Sequence, residues 1–181
     1  MERNVAQIAV FTALIAALGL IPQLTLAFGV PITAQSLGVM LCGTVLGARR
    51  GAIAALLFVG LVAIGLPLLS GGRGGLGQFM VPTSGFLIGF PVAAFVTGLV
   101  MERLRGLPVG WAAGIAAGIG GIVVLYAFGI SGLAIALDRP VTEAALLVTA
   151  FLPGDGIKAV LAGLVTAALY RARPLSVMSR P

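Results

Sequence analysis

The sequence predicts an all-α integral membrane protein of six transmembrane helices, and three observations carry that expectation. Apolar residues make up 60% of the 181 residues and charged residues only 9%, against roughly 25% charged in an ordinary soluble domain. A water-soluble fold of this length keeps a large accessible shell and cannot hide that much apolar surface. Residues 5–48 and 107–137 run without a single charge, and each is long enough to cross the roughly 30 Å hydrocarbon core of a bilayer. Most of the charges are arginines gathered between apolar runs, as at Arg49-Arg50, Arg103 with Arg105, and Arg171 with Arg173.

Pro, Gly and charge punctuate the chain into six helices in one membrane domain spanning residues 1–181. The first covers about 5–20 and ends near Pro22. An Arg-containing start before an apolar stretch also fits a signal peptide with a poor cleavage site at Thr25-Leu26-Ala27, but the apolar pattern outruns a signal core and is read as a permanent helix. A neutral connection, 23–32, leads to a short second helix at 33–47, closed by Arg49 and Arg50. The third runs over 52–67 and a Gly-dense connection follows at 68–82. The fourth spans 84–101 and the long fifth 109–137, closed by Asp138-Arg139-Pro140. The last, 143–170, contains Pro153-Gly154.

The arginines test this count. With both termini cytoplasmic, the inner positions hold Arg3, Arg49, Arg50, Arg103, Arg105, Arg171, Arg173 and Arg180, and the outer loops only Arg73 and Arg139. That bias satisfies the positive-inside rule, and an odd number of spans would scatter it. The net charge of +6 is thereby explained by topology, with no nucleic-acid partner. No internal repeat or low-complexity tail is visible.

Several chemistries are excluded. There is no histidine and one cysteine, Cys42, so His-based metal sites, Ser-His-Asp hydrolysis and an intrachain disulfide drop out. No phosphate-binding G-x-x-x-x-G-K-[ST] loop occurs, and Lys158 is the only lysine. Gly72-Arg73-Gly74-Gly75-Leu76-Gly77 matches G-x-G-x-x-G formally, yet no strand precedes it and no acidic residue follows about twenty positions on. No catalytic residue, metal site or cofactor is assigned.

Asp155 and Lys158, in LPGDGIKAVL, are the only ionised pair inside an otherwise apolar segment. Such residues usually face a cavity or a partner, because a charge at membrane depth costs at least about 2.5 kcal/mol. At i and i+3 they share a helix face. Pro153-Gly154 would break the helix just before them, placing Asp155 where a half-helix begins and free N–H groups can meet a polar ligand. A self-neutralising structural pair, or an Asp serving as a cap, is the alternative. The Gly-dense connection reads as a loop folding back over the bundle, with Arg73 and Gln78 as donors, or as a free outer loop. Thr33, Gln35 and Ser36 open the second helix on the outer side, where they would cap it or edge a pocket. Ala9, Ala13 and Ala17 form a small-residue stripe on the first helix, with similar stripes at Gly110, Gly114 and Gly118 and at Gly85 and Gly89. Such spacing lets helices approach closely, within the bundle or against another protein.

Three separated motifs then acquire a joint meaning. VPITAQSLGVML followed by Gly47-Ala48-Arg49-Arg50-Gly51, then GLPLLSGGRGGLGQFMVPTSGFLIGFP, then LPGDGIKAVLA, resemble the BioY family, the biotin-specific substrate-capture (S) components of energy-coupling factor (ECF) transporters. The resemblance runs from about Val30 to the last helix; the fifth helix shares only its apolar character. It implies a six-helix S-component fold, located multi-pass in the cell membrane, that takes biotin from the outer side with high affinity. It also implies a membrane scaffold subunit and ATPase subunits as partners, with Ala9, Ala13 and Ala17 matching the Ala-rich face that docks on the scaffold. Asp155 and Lys158 match the family's Asp and Lys in the last helix. Gln78 and Arg73 compete for a third polar contact in the loop, and Gln35 joins them as a ligand-side candidate. Capture of another small vitamin, or an intramembrane enzyme with Asp155 and Lys158 as acid and base, are the rival functions.

Overall fold

The computed structural model describes residues 2–25 and 31–180. Residues 26–30, in the connection between the first two helices, lie outside the described residues, and with them Leu26 and Ala27 of the cleavage-site alternative and Val30 of the first motif. The regular structure of the described chain is helical, apart from a two-residue hairpin pairing β1 (Leu24–Thr25) with β2 (Pro31–Ile32) and an isolated bridge between Leu69 and Arg73.

Eight α-helices follow one another: α1 Glu2–Leu18, α2 Gln35–Leu46, α3 Ala48–Ala63, α4 Ser84–Arg103, α5 Val109–Gly118, α6 Leu125–Leu137, α7 Val141–Thr149 and α8 Leu152–Ala172. A π-helical segment, Ile119–Val124, joins α5 to α6, so that 109–137 forms one rod of 29 residues. Among the described residues, three helices are long and apolar enough to cross a membrane: α4, the α5–α6 rod and α8. Large apolar side chains such as Val10, Trp111, Ile135 and Leu164 stand on the outside, a surface suited to lipid rather than water.

The short α2 lies at the centre. Every residue of it except Leu37 is buried, and α1, α3, α4, α5 and α8 all pack on it. Its junction with α3 is a single residue, Gly47, at φ 83°, in the left-handed region that glycine adopts without a steric penalty. Directly against this corner the Glu102 carboxylate accepts the Ala48 N–H at 2.8 Å. The third helix consequently begins at Ala48, before the expected 52, and takes both Arg49 and Arg50 into its first turn.

The last segment departs from expectation in where it breaks. The helix expected over 143–170 is two helices, and the interruption falls at Ala150 and Phe151, before Pro153 and not after it. Pro153 sits in the first turn of α8, where its missing N–H has no intrahelical partner to lose and its fixed φ suits the helix. Asp155 still falls in that first turn. At the far end of α2 the chain terminus folds back: Ser179 donates its N–H to Val45 O at 3.1 Å and its hydroxyl to Thr44 O.

Candidate functional site

A cavity open to the outside lies at the N-terminal ends of α2 and α8. Its polar lining comprises Thr33, Gln35, Ser36, Arg73, Gln78, Thr83, Asp155 and Lys158. Its apolar wall holds Phe86, Leu87 and Phe90 from α4, Phe151 just before α8, and Leu69 from the loop.

The charged pair forms the floor. Lys158 Nζ donates to Asp155 Oδ1 at 2.8 Å, with side-chain exposures of 14% and 8%. The same ammonium donates to Ser36 Oγ at 2.9 Å and to the Thr33 backbone carbonyl at 2.6 Å. Ser36 in turn donates its hydroxyl to Asp155 Oδ1 at 3.2 Å. The second carboxylate oxygen accepts the Tyr126 hydroxyl at 2.7 Å. Three elements thus meet here because the half-helix start brings Asp155 down to α2 and α6. Burying such a pair is tolerable only when additional hydrogen bonds satisfy both ions, and these do.

The Gly-dense loop folds back as a structured flap. Leu69 donates its N–H to Arg73 O at 2.9 Å, and Gly75 donates to Val62 O at 2.7 Å, tying the loop to the end of α3. Gly71, Gly72 and Gly75 have φ between 69° and 89°, angles that let the chain make these reversals.

The sequence-derived candidates divide by what their polar atoms are already doing. Gln35 lines the cavity, but its amide is committed to backbone. It donates to Ile15 O at 3.2 Å and Leu68 O at 3.0 Å, and accepts the Ser70 N–H at 3.2 Å. It ties α1 and the flap to α2. Arg73 is likewise engaged within the loop, donating from Nε to Ser70 O at 3.0 Å and from Nη2 to Gln23 Oε1 at 3.4 Å. Gln78 lines the cavity with its amide unengaged among the described residues. Ala9, Ala13 and Ala17 are not part of the cavity lining and are exposed on the outer face of α1. The opposite face of that helix buries Thr12 and Ile15 against the bundle.

Sequence reasoning passed over Tyr126 and Thr83. Phe86 stands edge-on to Tyr126 with centroids 6.3 Å apart and to Phe151 at 6.4 Å, an arrangement aromatic quadrupoles favour. The available signal for Tyr126 was a phenol within an apolar run; a buried tyrosine hydroxyl usually finds a partner.

The BioY family profile matches residues 2–175. The biotin transporter BioY of Rhodobacter capsulatus is 54% identical, covering 99% of this chain and 100% of the relative. That of Rhizobium etli is 55% identical over 96% of each. Among solved structures, a crystal structure at 2.1 Å of the S-component for biotin from an ECF-type ABC transporter superposes with a TM-score of 0.89. It is 29% identical and covers 97% of this chain and 96% of the other. On the profile, the relatives and the fold together, the chain belongs to the BioY family.

Proposed function

We propose that this chain captures biotin as the membrane subunit of an ECF-type uptake system. Its relatives are named as biotin transporters and its structural neighbour as the S-component for biotin; transport, not catalysis, is the function. The observation that carries the reading is the buried Asp155–Lys158 pair beneath a cavity whose walls are apolar and aromatic.

The chemistry suits the cargo. Biotin's cyclic urea places an N–H donor beside a C=O acceptor on each edge. Asp155 and Lys158, side by side, offer an acceptor beside a donor, and charge-assisted bonds are roughly twice as strong as neutral ones. Asp155 accepts a ureido N–H, and Lys158 donates to an oxygen of the ligand. Phe86, Phe90 and Phe151 enclose the thioether ring. Gln78 supplies the third polar contact, a choice supported by its unengaged amide; Arg73 holds the flap in shape, and Gln35 holds the flap to α2. The 68–82 flap closes the mouth on the outer side.

In the membrane, 1–181 forms one domain of six spans, both termini cytoplasmic, in the cell membrane. The arginine distribution supports this count, and α7 with α8 together make the sixth span. Lacking a phosphate-binding loop, the chain takes its energy from ATPase subunits through a scaffold subunit. The outward-facing Ala9, Ala13 and Ala17 let the scaffold's helices approach closely.

The test is biotin binding by the purified protein in detergent, with Asp155→Asn alongside. The expected result is saturable sub-micromolar binding by the wild type, weakened at least a hundredfold in a folded Asp155→Asn protein. Absence of binding by folded wild type would sink the biotin assignment.

A further inference from the structure

We propose that the groove between α5 and α8 binds an anionic phospholipid of the cytoplasmic leaflet, one acyl chain lying along the groove and the headgroup at Arg171. This rests on the membrane topology above and is independent of the biotin site. The groove shares no lining residue with the cavity beneath the flap. Its floor forms where the two helices touch: a Cβ on Gly163 would stand 2.7 Å from Gly110 O. Its walls are Trp111 and Ile115 of α5 with Val160 and Leu164 of α8. Trp111 is 74% and Leu164 62% exposed, so nothing within the chain covers them.

Length points to a lipid chain as the occupant. Along α8 the groove runs from Ala159 to Arg171, about 18 Å at the helical rise of about 1.5 Å per residue. One leaflet's share of a hydrocarbon core of about 30 Å is about 15 Å. A single acyl chain therefore fills the groove, whereas a partner helix crossing both leaflets would outrun it. Trp111 and Tyr170 line the end at which α5 begins and α8 stops. Amphipathic aromatics settle at that depth, between chains and headgroups.

Charge points to the kind of lipid. Among the described residues the only ion pairs are Arg139 with Glu143 and Lys158 with Asp155, so Arg171 meets no carboxylate. It stands exposed in the last turn of α8 and lines the groove. A guanidinium grips a phosphate through a planar fork of N–H donors. Phosphatidylcholine brings its own ammonium to cancel that phosphate, and phosphatidylglycerol does not. The uncompensated arginine thus favours the anionic headgroup.

Trp111 is the only tryptophan in the chain, so the groove carries its own probe. The full-length protein is placed in vesicles of phosphatidylcholine and phosphatidylglycerol, with dibrominated chains on one lipid or the other, and quenching of Trp111 fluorescence by each is compared. The wild type should favour phosphatidylglycerol about fivefold, the scale of one arginine at an anionic surface. Arg171→Gln should abolish that preference. Arg173→Gln removes the same charge outside the groove lining and should leave it nearly intact. Gly114→Leu fills the groove, since an added Cβ would make only ordinary contact, 3.8 Å from Ala159 O; it should abolish the preference as well. Equal quenching by both lipids in the wild type, the result for a groove reserved for a scaffold helix or bathed in bulk lipid, overturns the site. So does an equal loss in Arg173→Gln and Arg171→Gln, a comparison of two exposed positions that decides the matter even if Gly114→Leu does not fold. A preference that persists in folded Gly114→Leu overturns the seat of the chain. Quenching by neither lipid would instead remove the membrane reading itself.

Discussion

Two ion pairs in this molecule have nearly the same geometry and opposite surroundings. Arg139 and Glu143, at i and i+4, meet at 2.9 Å with side chains 62% and 49% exposed. Lys158 and Asp155, at i and i+3, meet at 2.8 Å and are almost wholly enclosed. The first follows the left-handed turn at Asp138, and the Arg139 N–H bonds back to Ala134 O. Either partner can leave and be replaced by water. The second has no such exit, so each ion depends on the other and on Ser36, Thr33 and Tyr126. Distance alone does not distinguish a decorative pair from one on which a site depends; desolvation does.

The comparison can be broken by removing charges. Lys158→Met should have the largest effect, about 3–5 kcal/mol of lost stability, because it strands the Asp155 carboxylate. Thermal unfolding in detergent measures this. The double variant Asp155→Asn with Lys158→Met should recover most of that stability and none of the biotin binding, separating a structural pair from a ligand site. Ser36→Ala comes next, at about 1–2 kcal/mol, since it removes one bond to each ion while leaving the pair intact. Arg139→Gln should come last, at no more than about 0.5 kcal/mol and with biotin binding unchanged. Comparable losses for Arg139→Gln and Lys158→Met would erase the distinction.

Asp155 and Lys158 were legible in the sequence because charge inside an apolar run is costly, and the cost points to a purpose. The order of the helices was legible for the same reason, each stretch being bounded by Pro, Gly or arginine. The site's remaining parts leave no such trace. Tyr126 sits in an apolar run where its spacing to Asp155 means nothing until the helices pack. The close approach of α4 to the π-helical segment over Ile119–Val124 shows only in three dimensions: a Cβ on Gly120 would strike Thr97 Oγ1 and Ala93 O. Gln35 looked like a ligand-side amide; it does line the cavity, and its amide also fastens three pieces of backbone.

The small-residue stripes make the same point. Spacing predicted close approach for Ala9, Ala13 and Ala17 and for Gly110 and Gly114 alike. The glycines of α5 meet Gly163 and Ala167 of α8, and Gly85 and Gly89 meet Phe128 of α6. The alanines of α1 face outward, while Gly118 has nothing within 4 Å of where a Cβ would be. A repeat of small residues says that a neighbour can come near, not which neighbour does.

The ammonium of Lys158 has three protons, and Asp155, Ser36 and Thr33 take all three. Cargo that draws on this nitrogen arrives by eviction: one protein acceptor must let go. Asp155 and Ser36 are held by the pair and by buried helices, whereas the Thr33 carbonyl belongs to the short link between β2 and α2. Loading would then slacken the chain at the rim at the moment the floor is filled, so occupancy of the pocket is transmitted outward as a released tether. The clearest trace of such an event is kinetic: association slower than diffusion, and quickened by any change that weakens the hold on Thr33.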